Sequence, residues 1–282
     1  MCSAVSSLLA HSLVFAEYIS PGSVKIETEH YELKPLELDQ GTYYYDFAWQ
    51  GIPVGEGKIR VDSGSSRALT RVQASAKTAE FIDIFYKLRH QSESTFDASS
   101  FNPRRFTSWQ RENSREKSTE VLFLPGGSIR AEITKNGKEK EPLEFTSKNL
   151  TLDPITAAFM ARSLPIEVGR TFDFDVFNGK HRYLITFLVQ GLETLEIGKN
   201  RFKVFKVVPS VQKLTDTEGE KRLESATLWI TADESRQVLK LESKVLVGRV
   251  RAELRGFEPL NFSPSEKFKI KQVSLGSPGD KS

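Results

Sequence analysis

The chain has 282 residues, of which 38% are hydrophobic and 27% are charged, as in an ordinary folded protein. Its 40 Lys and Arg nearly balance its 37 Asp and Glu, which argues against nucleic-acid binding, where positive charge usually clusters on one face. The single cysteine, Cys2, excludes a disulfide or a thiolate zinc site within the chain. Lipidation of Cys2 would need an apolar stretch before it, and only Met1 precedes it.

The first residues are typical of a secretory signal peptide. Residues 4–16 contain no Lys, Arg, Asp or Glu and end in Val14-Phe15-Ala16, which suits signal peptidase cleavage. No basic residue precedes them, and a start codon assigned too late would explain that. We predict a cleaved signal peptide over residues 1–16 and export to the periplasm; the alternatives are a frayed apolar N-terminus and a small buried helix. No other stretch is apolar for long enough to form a transmembrane helix.

Composition divides the rest of the chain into three parts. Residues 17–40 are polar and rich in Glu, and we predict a leader that is mainly a linker. Residues 41–259 form one β-rich domain. Residues 260–282 contain Pro, Ser and Lys and are predicted to be a flexible tail.

An aromatic stripe begins the β-rich domain. In residues 42–49 the aromatic side chains recur at every second position, which predicts a strand with one buried side. The stripe consists of Tyr43, Tyr45, Phe47 and Trp49. The next predicted strand carries Gly55 and Gly57, whose missing side chains would let a neighbouring aromatic ring lie flat over the backbone.

One helix interrupts the predicted strands. Asp153 is a suitable N-cap, Pro154 suits the first helical position, and Pro165 ends the helix. Its apolar positions, which include Phe159, should face a sheet or plug an opening. A single helical turn is also predicted around Phe81. The remaining strands are predicted at residues 68–78, 105–111, 117–123, 128–134, 172–176, 181–189, 202–208, 226–231, 238–243 and 245–254.

These elements predict the fold class. The chain should be mainly β, a large antiparallel curved sheet or half-barrel of about a dozen strands with one internal or capping helix. Closure or partial closure would limit exposed strand edges. In residues 181–189 both faces are apolar, which predicts a strand covered on both sides.

Four blocks of the sequence resemble one family. The blocks are residues 49–57 (WQGIPVGEG), residues 86–97 (YKLR…ESTFD) with Pro103, residues 152–158 (LDPITAA) with Leu164-Pro165, and residues 228–233 (LWITAD) with residues 247–250 (VGRV). In this order they resemble the bacterial exported family catalogued as domain of unknown function 3108, over residues 43–259. The resemblance implies export and a β-rich fold, and it implies no reaction.

No catalytic residue, metal site or cofactor is predicted. His90 and His181 have no second His or Cys near them in the sequence. The chain has no Gly-x-Ser-x-Gly motif, and Asp153 is better explained as a helix cap than as a catalytic acid. Glu56, between two glycines, could contact a ligand, but an exposed strand carboxylate explains it more simply.

The candidate ligand-binding residues are aromatic. The stripe could line an apolar cavity or stack on sugars, with Trp109 and Trp229 as possible partners; the alternative is that it is simply core. The candidates are Tyr43, Tyr45, Phe47, Trp49, Phe159 and Trp229.

Three functional hypotheses follow. The leading one is a non-enzymatic periplasmic protein that holds a lipid or acyl chain, because several strands are apolar on both faces. The second is an interaction module of the cell envelope that docks a protein partner through a strand edge or through the basic residues 249–255. The third is an enzyme acting on glycan or peptidoglycan, which would need two carboxylates facing each other across a cleft.

Overall fold

In the part of the chain that the structure describes, a single sheet of 16 strands dominates the fold. A computed structural model describes residues 19–24, 26, 28, 31–33, 39–63, 68–215, 226–244 and 248–260. The predicted signal peptide and all but one residue of the predicted tail lie outside this part of the chain. The strands are β1 (Gly41–Trp49), β2 (Ile52–Ser63), β3 (Leu69–Thr78), β4 (Leu88–Asp97), β5 (Pro103–Glu112), β6 (Arg115–Phe123), β7 (Ser128–Lys135), β8 (Lys138–Glu139), β9 (Leu143–Thr146), β10 (Thr151–Leu152), β11 (Thr171–Phe177), β12 (Arg182–Ile197), β13 (Asn200–Lys213), β14 (Ala226–Thr231), β15 (Val238–Lys244) and β16 (Arg249–Pro259).

The strand order joins two antiparallel meanders into one curved sheet. The order runs from β10 through β11 to β16, then continues from β1 to β8, with β9 paired to β7. The meanders meet where β1 pairs with β16, for example at Tyr43 opposite Phe257. Among the described strands, only the short β10–β11 pairing is parallel. The predicted large antiparallel curved sheet is therefore confirmed, and β8, β9 and β10 are short strands that were not predicted.

The helix α2 (Pro154–Arg162) packs against the inner face of the curved sheet. The Asp153 carboxylate accepts hydrogen bonds from the backbone N–H groups of Ile155 (2.9 Å) and Thr156 (3.0 Å), which confirms the predicted N-cap. On its buried side, Phe159 and Met160 join a core built from both meanders. The predicted helical turn after β3 is α1 (Glu80–Asp83).

A buried polar network fastens the two ends of the sheet. The Arg182 guanidinium on β12 donates to both carboxylate oxygens of Asp175 on β11, at 2.8 and 2.5 Å. It also donates to Ser147 Oγ, just after β9, at 2.8 Å, and to the carbonyl oxygen of Pro21 at 3.0 Å. One side chain therefore links an end of each meander to the segment that precedes β1.

Part of the predicted leader lies against the domain. The Tyr31 ring contacts the Phe172 ring edge-on, with 5.4 Å between centroids, and its hydroxyl accepts a hydrogen bond from the backbone N–H of Asp173 at 2.7 Å. The backbone of Gly22 packs so closely on Phe145 that a Cβ there would lie 2.9 Å from the Phe145 Cβ. These contacts place the described leader residues beside β9 and β11.

Candidate functional site

Four of the six predicted ligand-binding residues lie in the main hydrophobic core. Tyr43 and Trp229 are buried there with Phe159, and the half-buried Tyr45 packs against them. The Tyr45 hydroxyl donates to the carbonyl oxygen of Val238 at 3.0 Å. The Trp229 indole N–H donates to the Glu193 carboxylate. These four residues therefore have core contacts, and two of them, Tyr43 and Tyr45, belong to the stripe.

The other two residues, Phe47 and Trp49, are not part of this core. Phe47 lies over Gly57, where a Cβ would come within 2.6 Å of the ring, as predicted for the glycine pair. Trp49 is 37% exposed at the end of β1. Between Phe47 and Ala48 the pairing skips Val54, so the extra residue lies on β2, and Trp49 is the last residue of β1 beside the hairpin turn.

The enclosed space beneath α2 is small. Its volume is about 60 Å³, and apolar side chains such as Phe172, Val189 and Ile230 line most of it. Arg162, at the end of α2, also borders this space; its guanidinium donates to the backbone carbonyl oxygens of Arg236 (2.8 Å) and Ser235 (2.9 Å). Burial lowers the pKa of Arg162. A space of this size holds about two water molecules at ~30 Å³ each.

A much larger groove lies on the opposite face of the sheet. It crosses β1 to β7 and has a volume of about 790 Å³. Side chains alternate between the two faces along a strand. Because Val61 and Val72 are buried, their neighbours Arg60 and Gln73 point outward into the groove. Its side chains form two adjacent rows across the strands: Thr42, Arg60, Gln73, Glu93, Thr107, Glu120 and Glu132 in one row, and Tyr44, Lys58, Ser75, Gln91, Trp109, Ser118 and Thr134 in the other.

The floor of the groove is strand backbone. Ala74, Ser92 and Ser108 belong to the inward-pointing set, yet they also line the groove. The outward side chains beside them, such as Ser75 and Ser118, are short. The groove is therefore shallow and elongated, and it runs across neighbouring strands without entering the core.

A hydrogen bond positions the side chain of Trp109 in this groove. Trp109 lies half-buried on β5, and its indole N–H donates to the Glu116 carboxylate at 2.8 Å. The Tyr44 ring, in contrast, already has cations near it: Lys58 Nζ lies 5.3 Å and the Arg255 guanidinium carbon 5.6 Å from the ring centroid. Trp109 is thus the better platform for stacking a ligand.

The carboxylates of the groove have partners within the protein. Arg105 donates to Glu120 at 2.7 Å, and Arg130 donates to Glu132 at 2.9 Å. Glu93 accepts from the Gln73 amide at 2.7 Å. All three carboxylates are therefore already engaged by donors within the protein.

Sequence reasoning noted Trp109 but missed the groove. Polar residues on the outward side of a strand have the same composition whether they face open solvent or a concavity. The concave shape depends on the curvature of seven neighbouring strands, which no local pattern reveals. Arg105 on β5 and Glu120 on β6 form an ion pair as diagonal neighbours, since Glu120 lies opposite Thr107 in the strand register.

Two features are absent from the described residues. No group of three or more His, Cys, Asp or Glu side chains there is arranged to hold a metal ion. Within the same residues, no helix combines the length and hydropathy needed to cross a membrane.

The fold resembles that of a solved structure of unknown function. A β-barrel-like protein of domain of unknown function DUF1849 from Brucella abortus aligns with a TM-score of 0.54 at 11% identity, covering 80% of this chain and 100% of that one. Two further structures align with lower TM-scores. A putative exported protein with a YmcC-like fold from Bacteroides fragilis gives 0.30 at 11% identity, covering 81% of this chain and 100% of that one. A putative lipoprotein from Parabacteroides distasonis gives 0.32 at 12% identity, covering 80% and 99%.

The sequence comparisons give one family. No curated protein matches the chain. The family described as protein of unknown function DUF3108 matches residues 43–255, which is most of the chain and agrees with the resemblance found in the sequence blocks. The chain belongs to this DUF3108 family.

Proposed function

We propose that this chain is an exported, non-enzymatic periplasmic protein that binds an uncharged, hydroxyl-rich ligand, an oligosaccharide segment of the cell envelope, in the groove across β1 to β7. Residues 1–16, which are typical of a signal peptide, support export to the periplasm. The observation that carries the ligand class is the half-buried indole of Trp109, which Glu116 holds within a groove of about 790 Å³.

The polar lining supports a glycan over a charged ligand. The groove is bordered by Lys58 and Arg60 on the basic side and by Glu93, Glu120 and Glu132 on the acidic side. With the three carboxylates already bonded inside the protein, neither sign of charge dominates. Hydroxyl and amide groups supply the remaining donors and acceptors.

The shape supports the same ligand class. An extended chain of sugar rings can lie along a shallow groove, stack one ring on an indole and exchange hydrogen bonds with side chains directly or through water. A compact anion would instead need convergent donors at one point. The row of Gln91, Ser118 and Thr134 offers spaced hydrogen-bonding groups on both sides of Trp109.

An acyl chain inside the sheet has weaker support. The enclosed space beneath α2 measures about 60 Å³, which leaves no room for a chain of many methylene groups. The prediction of a lipid ligand is tested separately, by native mass spectrometry of protein purified gently from the periplasm. A copurifying lipid mass would support a lipid ligand over the glycan proposed for the groove.

The test of the groove is a calorimetric titration with oligosaccharides from a Gram-negative envelope. The probes are two uncharged classes: neutral O-chain fragments of lipopolysaccharide and neutral β-glucan oligosaccharides of the periplasm. We expect one fragment class to bind, and Trp109→Ala to weaken its affinity by about tenfold or more, ~1.4 kcal/mol. Trp49→Ala is the matched control, because it removes an exposed indole outside the groove. Equal affinity of Trp109→Ala and the unmodified protein, or no binding of either fragment class, would refute the proposal.

A further inference from the structure

One rim of the sheet carries a cluster of exposed apolar side chains. The short connection between β3 and β4 contains Phe81, Ile84, Phe85 and Tyr86, of which Ile84 is 79% and Phe85 83% exposed. The neighbouring β1–β2 turn adds Trp49 and Ile52. Single exposed apolar side chains are ordinary on a protein surface, but a contiguous group of large ones marks an interaction site.

The two turns are neighbours in the sheet. The backbone N–H of Ala79, which precedes α1, donates to the carbonyl oxygen of Val54 on β2 at 2.9 Å. Trp49 pairs directly with Ile52 across the β1–β2 hairpin. Because β1 to β4 form an antiparallel meander, both turns leave the sheet at the same end.

The polar contacts at the base of this connection hold its backbone in place. The Arg89 guanidinium pairs with the Asp83 carboxylate, and the Thr78 hydroxyl donates to the same carboxylate at 2.5 Å. The backbone N–H of Leu88 in turn donates to the Thr78 hydroxyl at 3.0 Å. The apolar side chains are therefore presented by an ordered turn, and their exposure is a feature of the folded chain.

The same rim carries an excess of positive charge. We define the rim as residues 49–52, 77–89, 111–117, 135–139, 244 and 248–251, which lie in or beside the connections at this end of β1 to β8, β15 and β16. Its basic members are Lys77, Lys87, Arg89, Arg111, Arg115, Lys117, Lys135, Lys138, Lys244, Arg249 and Arg251. Its acidic members are Glu80, Asp83, Glu112, Glu116 and Glu139. Eleven cations against five acids give a net charge of +6, whereas the whole chain has +3.

The excess remains after ion pairs with residues just beyond the rim are counted. Such pairs join Lys77 to Glu56, Arg249 to Glu242 and Arg251 to Glu253. Eight cations against five acids are left. Aromatic and aliphatic side chains surrounded by Lys and Arg fit the interface of an anionic bilayer, where rings enter the headgroup level and cations meet lipid phosphates.

We propose that this rim docks on an anionic phospholipid bilayer, with Ile84 and Phe85 entering the headgroup–acyl boundary and the surrounding Lys and Arg contacting lipid phosphates. The rim borders the glycan groove at Glu116, and the groove itself lies on the outward sheet face. Membrane docking would hold the groove close to the bilayer surface without requiring that the groove bind a lipid.

The test is flotation of the purified protein with vesicles. Vesicles of phosphatidylethanolamine with phosphatidylglycerol should carry the protein upward, and vesicles of phosphatidylcholine alone should carry several-fold less. The double variant Ile84→Ser/Phe85→Ser should lose most of the binding. Val168→Ser is the matched control, since Val168 is 57% exposed outside the rim, and it should bind as the unmodified protein does.

A second readout separates insertion from docking on a protein. In Phe85→Trp, the new indole should be quenched by lipids brominated on their acyl chains. Absence of flotation with anionic vesicles, or binding that the double variant leaves unchanged, would overturn the proposal. A photo-crosslinker at position 85 that captures an envelope protein in cells, with no quenching by brominated lipid, would also overturn it in favour of a protein partner.

Discussion

Arg182 and Asp175 form a two-pronged ion pair in the protein interior, with 3% and 0% of their side chains exposed. The pair lies on neighbouring strands β11 and β12, and its Arg also reaches Ser147 after β9. Thr151 donates to the second oxygen of Asp175 at 2.7 Å, so the pair connects to β10 as well. It therefore fixes the place where the two ends of the open sheet come together.

Removal of either partner should destabilise the fold strongly. Arg182→Met leaves Asp175 as a buried charge without its cation, and such losses typically lower the free energy of unfolding by about 3–5 kcal/mol. Urea denaturation followed by circular dichroism measures the change. Arg255→Met is the control, because Arg255 and Asp46 form an exposed pair at 3.1 Å, which should contribute about 0–1 kcal/mol. Similar losses in both variants would contradict the role given to the buried pair.

The pH dependence of the free energy of unfolding should reveal the raised pKa of the buried Asp153. Its exposed fraction is 0%, and burial raises its pKa above the ordinary value. The native state then binds more protons than the unfolded state, so this group's contribution to stability falls as pH rises from the unfolded pKa to the raised native one. Asp153→Asn keeps a capping side chain and removes the titration.

Unfolding curves of both proteins at a series of pH values test this prediction. The stability of the unmodified protein relative to Asp153→Asn should decrease as pH rises through that window and then level off. A difference that stays constant, or that increases with pH, would mean that the pKa of Asp153 is not raised in the folded protein.

The packing of Phe47 over Gly57 predicts a steric effect. A Cβ at Gly57 would lie 2.6 Å from the Phe47 ring, closer than van der Waals contact allows. Gly57→Ala should therefore lower the melting temperature and cost about 1–3 kcal/mol, as overpacking does. Gly191→Ala is the control: nothing lies within 4 Å of the position that its new methyl group would take, so its stability should be nearly unchanged. Equal stability of the two variants would refute the close contact.

The hydrogen bond from Trp109 to Glu116 should matter for ligand binding. Glu116→Ala removes the acceptor at 2.8 Å that orients the indole, and we expect glycan affinity to fall several-fold. Glu116→Gln retains an acceptor oxygen and should restore most of the affinity. Calorimetric titration measures both, with urea denaturation to confirm that the fold is intact. Loss of binding in Glu116→Gln alone would indicate that the carboxylate itself contacts the ligand.

Regular local patterns made most of the fold predictable. The long strands alternate apolar and polar side chains, and α2 has a capping Asp153 and a stopping Pro165. The strands β8 and β10 have only two residues each, too few for alternation to appear. The pairing of β1 with β16 joins residues more than two hundred positions apart, for example Tyr43 with Phe257, and no local signal marks it.

The candidate site was less predictable than the fold because its residues lie on the outward face. The aromatic stripe of β1 supplied candidate ligand-binding residues, yet Tyr43 belongs to the core and Trp49 to the rim. The groove instead depends on Trp109 and on polar residues of seven strands, whose concave arrangement follows from sheet twist. The apolar character of Phe81, Ile84 and Phe85 correctly predicted a helical turn, but helical spacing does not reveal which side chains stay exposed.

The central claim is that a glycan binds beside Trp109. The most direct measurement is a ¹⁵N–¹H spectrum of the three tryptophan indoles during titration with envelope oligosaccharides. The account predicts that the Trp109 signal shifts with saturation, while those of Trp49 and Trp229 stay in place. A Trp109 signal that remains fixed at saturating fragment, or a shift confined to Trp229 in the core, would contradict it.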